Sequence, residues 1–164
     1  MEITKKHIYA IDFAIIVGTL ITLIGVVGYA RPLVIAPINE LNTTSTSVLF
    51  EFEKAEMVLI DDNFEFTSPD KMYAKDNLVI NLKPGVYYWK VSGALESEIR
   101  TLTILSKVDL KLRSAGDRFE VVNVGNVGLS VDIYDNKTLV GNIKLERDES
   151  RNVSGTAFVG RQDE

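Results

Sequence analysis

The chain contains no cysteine, so no disulfide framework, thiolate metal site or cysteine nucleophile can be built from it. Its only histidine is His7, near the start, which leaves the remainder without the central group of a Ser-His-Asp triad or a histidine-ligated zinc site. Positive charge is also short. Eighteen Lys and Arg stand against 23 Asp and Glu, and the net charge of −5 offers nucleic acid no electrostatic footprint. Phosphate-cradling loops are missing, because Gly125-Asn126-Val127-Gly128 connects two expected strands and opens no helix. The carboxylates that remain, Asp61-Asp62 with Glu65 and Asp132 with Asp135, read as solvated turn residues. A glycosidase would need two of them opposed across a cleft. The expectation is a non-enzymatic chain with no cofactor and no nucleic-acid partner.

What is present is a run of eighteen uncharged residues, Phe13 to Ala30, bracketed by Asp12 and Arg31. At 1.5 Å per residue a helix of that length covers ~27 Å, close to the ~30 Å hydrocarbon core of a bilayer. Residues 13–30 are therefore expected to form a transmembrane helix. Lys5 and Lys6 precede it and only Arg31 closely follows, a bias that places residues 1–12 in the cytoplasm and the rest outside. A cleavable signal peptide is the rival, with small residues at Gly28-Tyr29-Ala30, but the run is longer than the usual ~7–15-residue apolar region. Ala14, Gly18, Thr22 and Gly25 recur every three or four residues along one helix face, where two backbones could approach closely. Membrane lipid, an envelope protein or a second copy of the chain are the expected partners.

From Pro32 onward the hydrophobic period becomes two. Val48, Phe50 and Phe52 alternate with Leu49, Glu51 and Glu53, and Leu78, Ile80 and Leu82 with Val79, Asn81 and Lys83. Further strands are expected at 56–60, 86–92, 98–104, 108–113, 118–124, 129–134, 139–145 and 153–159. Turn signals such as Asp61-Asp62-Asn63, Ser68-Pro69-Asp70 and Asp135-Asn136-Lys137 separate them. No amphipathic helix of three turns interrupts the series, which indicates antiparallel sandwiches.

The most specific segment is Leu82-Lys83-Pro84-Gly85-Val86-Tyr87-Tyr88-Trp89-Lys90-Val91. Alternation puts Tyr87, Trp89 and Val91 on one face, with Pro84 and Gly85 making a corner between strands of different sheets. This segment resembles the corner before the penultimate strand of fibronectin type III and related Ig-like domains, and its aromatic strand is similar to those of prokaryotic surface modules. The resemblance implies that a tyrosine hydroxyl, of Tyr87 or Tyr88, bonds a backbone group upstream. It also implies a first strand within Arg31–Asn39 and a second at Ser47–Glu53. The Asn123-Val124-Gly125-Asn126 turn and the alternating strand after it resemble a second, smaller Ig-like repeat. The expected organisation is a sandwich over 32–105 and a five-stranded module over 107–160 that packs on it, with a fraying tail at Gly160–Glu164.

Three Asn-x-Ser/Thr sequons begin at Asn42, Asn136 and Asn152, all on the expected exported side, and mark candidate glycosylation sites. Asp61, Asp62, Asn63 and Asp70 cluster closely enough to raise the question of calcium. Tyr73, Tyr88 and Tyr134 are candidates for an aromatic binding face, and Glu146–Arg151 reads as a solvated loop. The function expected from these features is a single-pass, membrane-anchored envelope protein with a structural or protein-interaction role. The alternative is a subunit resembling archaellins and archaeal type IV pilins, which also join an apolar helix to an Ig-like domain. Lys5-Lys6-His7-Ile8-Tyr9 lacks the basic-then-small junction those families carry before the apolar run.

Overall fold

The computed structural model describes residues 5–163 and is mostly β, with one N-terminal helix. Helix α1 spans Lys5–Ala30 and, from Phe13 to its end, is apolar on every side. It ends where Pro32 removes a backbone donor and biases Arg31 away from helical geometry. The hydroxyls of Thr19 and Thr22 donate to the carbonyls of Ile15 and Gly18 at 2.7 and 2.9 Å, so both are satisfied within the helix.

Eight strands follow as a two-sheet sandwich: β1 (Leu33–Ala36), β2 (Leu41–Thr43), β3 (Ser47–Glu53), β4 (Ala55–Asp61), β5 (Asp70–Tyr73), β6 (Asn77–Asn81), β7 (Gly85–Gly93) and β8 (Arg100–Ile104). One sheet has the order β1-β3-β6 and the other β2-β8-β7-β4-β5. Every pairing is antiparallel except β2 with β8, which is parallel. The alternating residues meet between the sheets: Phe50, Phe52, Val58, Trp89, Val91, Leu102 and Ile104 are all at most 2% exposed. Phe50 meets Trp89 edge-on with ring centroids 4.9 Å apart, a favoured aromatic geometry. At the corner after β6 the chain changes sheets, and the Tyr87 hydroxyl donates to the Lys83 carbonyl at 3.0 Å. Burial there pushes the Tyr87 pKa above its usual 10.0.

The remaining strands form a smaller sandwich: β9 (Leu110–Ala115), β10 (Arg118–Asn123), β11 (Leu129–Asp135), β12 (Thr138–Leu145), β13 (Ser150–Val153) and β14 (Ala157–Gln162). Its sheets are β13-β10-β9 and β12-β11-β14. Val121, Leu129, Val131 and Leu145 form a second core, separate from the first.

Several expectations need correction. The helix begins at Lys5, eight residues before Phe13, and its apolar span runs Ile8–Ala30, so Asp12 lies inside it. Residues 1–4 of the expected N-terminal segment and Glu164 are outside the described residues. The strand expected at 153–159 is two strands in opposite sheets. The chain crosses between them at Gly155, where an added Cβ would lie 2.7 Å from Ile133 Cγ2. The smaller module therefore has six strands instead of five. Its tail does not fray at Gly160, because Gly160, Arg161 and Gln162 pair with Val131, Ser130 and Leu129. Strands β2 and β5 went unanticipated, and β8 starts at Arg100 instead of Glu98.

Candidate functional site

Three places concentrate polar or exposed groups. The first is the β4–β5 loop, which carries the acidic cluster beside an open depression of about 390 Å³. Asp61 at the end of β4 uses both carboxylate oxygens: one accepts from the Asn63 amide at 3.1 Å, the other from the Ser68 amide at 3.0 Å. Asn63 in turn accepts from the Glu65 amide at 2.9 Å. These are Asx-type contacts that fold the loop back on itself. Among the described residues, no three His, Asp or Glu side chains assemble into a metal-holding group.

The Ser68 amide, helped by that of Asn63 and opposed by burial, holds the Asp61 carboxyl below its usual 3.8. A depressed carboxylate stabilises the fold above its unfolded pKa, and that contribution is lost as pH falls through the folded value. Asp61→Asn is therefore expected to lower the melting temperature at pH 7, and the gap from the parent should shrink below pH 3.8. Thermal melts at pH 7 and pH 3 check this. An equal gap at both would show that charge does not organise the loop.

The second place is the junction between the two sandwiches. Asn126 donates through Nδ2 to the carbonyls of Thr44 and Leu105, each at 2.8 Å, and accepts from the Lys107 amide at 2.7 Å. Arg147 adds a bond to the Thr46 hydroxyl at 2.8 Å. Gly125 is required here, since a Cβ would lie 2.2 Å from the Lys107 carbonyl oxygen. Behind it, fully buried Asn123 donates to the carbonyls of Val127, Leu145 and Glu146 and accepts from the Gly125 amide. Glu149, in the expected solvated loop, accepts from the Glu146 amide and from Arg151, which together hold its carboxyl below 4.5.

The third place is the end of α1, joined to β1 by Arg31 and Pro32 alone. Lys54, in the β3–β4 turn at φ 59°, donates to the Tyr29 carbonyl at 3.1 Å and lies 4.3 Å from the Tyr29 ring centroid. One of the helix's last carbonyls thus gains a donor from the sandwich. The end of β7 presses on the same turn: a Cβ on Gly93 would meet the Lys54 carbonyl oxygen at 2.4 Å. An open depression of about 400 Å³ joins Lys54 and Glu56 to Lys75 and Asp76 of the β5–β6 turn and to Gly93 and Ala94 of the β7–β8 turn. The turn that holds the helix end thus shares a depression with two others. Lys54 and Gly93 gave no motif at sequence level, because one lysine between two glutamates and one glycine at a strand end are ordinary.

The other sequence candidates are dispersed. Asn42 is exposed on β2, Asn136 in the β11–β12 turn and Asn152 on edge strand β13. Asn136 and Lys137, at φ 48° and 68°, form a two-residue hairpin turn that favours asparagine regardless of any glycan. Ala14, Gly18, Thr22 and Gly25 are exposed, and nothing lies within 4 Å of a Cβ placed on either glycine. The three tyrosines do not make a common open face. Tyr73 is exposed, Tyr134 is half-buried, and Tyr88 is half-buried against Phe64 with ring centroids 5.5 Å apart. Exposed apolar groups gather instead on the outer face of the β1-β3-β6 sheet, where Leu49 pairs with Val79 and Leu33 and Ile35 lie on β1.

No protein-family model matches the chain, and no curated protein does. Two solved structures of native alpha-2-macroglobulin from Escherichia coli are similar to it. One spans domains MG0-NIE-MG1, with 11% identity and a TM-score of 0.30, and covers 80% of this chain and 61% of that one. The other spans NIE-MG1, with 10% identity and a TM-score of 0.29, and covers 82% of this chain and 94% of that one. Likeness at this level carries no function across.

Proposed function

We propose that this chain is a non-enzymatic, single-pass membrane protein whose β modules stand outside the cytoplasm and serve a structural or protein-binding role in the cell envelope. The observation that carries the reading is the helix: Ile8–Ala30 is 23 residues long, and none of it is buried against the β modules. A helix apolar on all sides needs an apolar surround, and this fold does not supply one. Asp12, the one charged residue in the span, lies one turn from its start, at headgroup depth. The Lys5-Lys6 pair against Arg31 supports a cytoplasmic N-terminus. The apolar outer face of the β1-β3-β6 sheet and the small-residue helix face suit contact with an envelope protein or another copy.

Native membranes should retain the chain through an alkaline carbonate wash and release it dispersed in mild detergent. Mass spectrometry should then find an intact N-terminus and cross-links to a neighbour, and it would show a glycan on Asn42, Asn136 or Asn152. Release by carbonate would overturn the anchor. Recovery as fibres with a trimmed N-terminus would replace this reading with the filament subunit.

A further inference from the structure

We infer that the end of the first sandwich nearest the helix is a lipid-contacting surface, with the β7–β8 turn resting its Ala94-Leu95 tip in the headgroup layer of the bilayer that holds α1. This rests on the membrane-spanning reading and adds an orientation to it. From Asp12 to Tyr29 the helix rises ~26 Å, so with Asp12 at one polar border of a ~30 Å hydrocarbon core, Tyr29 comes within ~4 Å of the other. Tyrosine suits that depth. Lys54 is bonded to Tyr29 and Gly93 is in backbone contact with Lys54, so the β7–β8 turn begins within two contacts of the helix end. Arg31 and Pro32 leave no tether that could lift it away.

The chemistry of this end suits a lipid surface that is polar without being strongly anionic. Ala94 is exposed and Leu95 is 37% exposed at the turn's tip, where the Gly93 amide donates to the Leu95 carbonyl and leaves the side chains outside. Beside them Lys54 and Lys75 line the same depression as Glu56 and Asp76, two charges of each sign. The two further acids are already engaged, Glu96 by Lys90 at 2.7 Å and Glu98 by Arg100 at 3.1 Å. With no net charge left over, contact depends on the apolar tip and on the helix, and needs no anionic lipid.

The absence of cysteine makes the test direct. Single variants Phe13→Cys, Lys75→Cys, Leu95→Cys and Asp117→Cys of the full chain would each carry an environment-sensitive fluorophore in phosphatidylcholine vesicles containing brominated lipid. Trp89 emission, from a fully buried ring, verifies that each labelled protein keeps the first core. Quenching and a blue shift are expected at positions 13 and 95, with weaker quenching at 75. None is expected at 117, in the β9–β10 turn of the far module. Quenching at 13 without any at 95 would overturn the surface contact and leave the anchor standing. No quenching at 13 would overturn both.

Discussion

Trp89→Ala is expected to remove most of the stability of the first sandwich. Large-to-small changes of buried Trp or Phe cost about 3–5 kcal/mol, and a unit of this size holds only ~4–10 kcal/mol in total. Trp89 is fully buried on the central strand β7, edge-on to Phe50, with the Arg100 guanidinium 5.8 Å from its ring centroid. Its indole Nε1 has no acceptor among the described residues, so the ring is held by its volume and not by its polar atom. Trp89→Phe should therefore be far milder: it removes an orphaned donor and keeps most of the contact. Hydrogen exchange of the full chain in detergent separates the outcomes. The alanine variant should lose protection across β3, β4 and β7 while β10 and β11, around their own core, stay protected. Equal loss in both modules would mean that the two cores unfold as one.

Asn123→Ala should do comparable damage to the smaller module, on the order of 3 kcal/mol. Asn123 is fully buried, and its side chain serves three carbonyls and one amide. Each buried group left unpaired costs about 1–3 kcal/mol. Asn123→Asp would keep the acceptor for Gly125 but set a charge against three carbonyl oxygens, and should be no better at neutral pH. Asn126→Ala, three residues on, is the contrasting variant: it cuts bonds that cross the junction and leaves the core intact. It should raise exchange at the Lys107 amide, which loses its acceptor, while β10 and β11 keep their protection. Similar melting temperatures for Asn123→Ala and the parent would contradict the role given to Asn123.

How far these features could be read in advance depends on whether a periodic pattern carried them. Val48, Phe50 and Phe52 turn inward because a strand alternates, and their exposures of 5%, 0% and 1% follow directly. Strand β2 has three residues and pairs by its backbone with β8, which leaves no alternation to detect. Strand β5, Asp70–Tyr73, follows Pro69 on a sheet edge and has only Met72 turned inward. The 153–159 segment looked continuous because Val153, Phe158 and Val159 are strand formers. Gly155 was the signal of the sheet change, since a glycine in a strand often marks a bend or a close approach. The tyrosine corner was legible as a motif, but the choice of Tyr87 over Tyr88 depended on the reach of one hydroxyl. Lys54 was invisible, because its partner is a carbonyl 25 residues away that only the tertiary fold brings near. Asn123 and Asn126 read as turn residues, yet their wider role depends on which carbonyls the fold brings to the turn.

The parallel pairing of β2 with β8 has a mechanical consequence. Leu41–Thr43 lies on the side of the chain that leads to the helix, and Leu102–Ile104 leads directly to the second module. Tension between the helix and the far module would pull the start of one strand and the end of its neighbour in opposite directions, along their shared axis. The hydrogen bonds between them would then share the load in shear instead of opening one after another like a zipper.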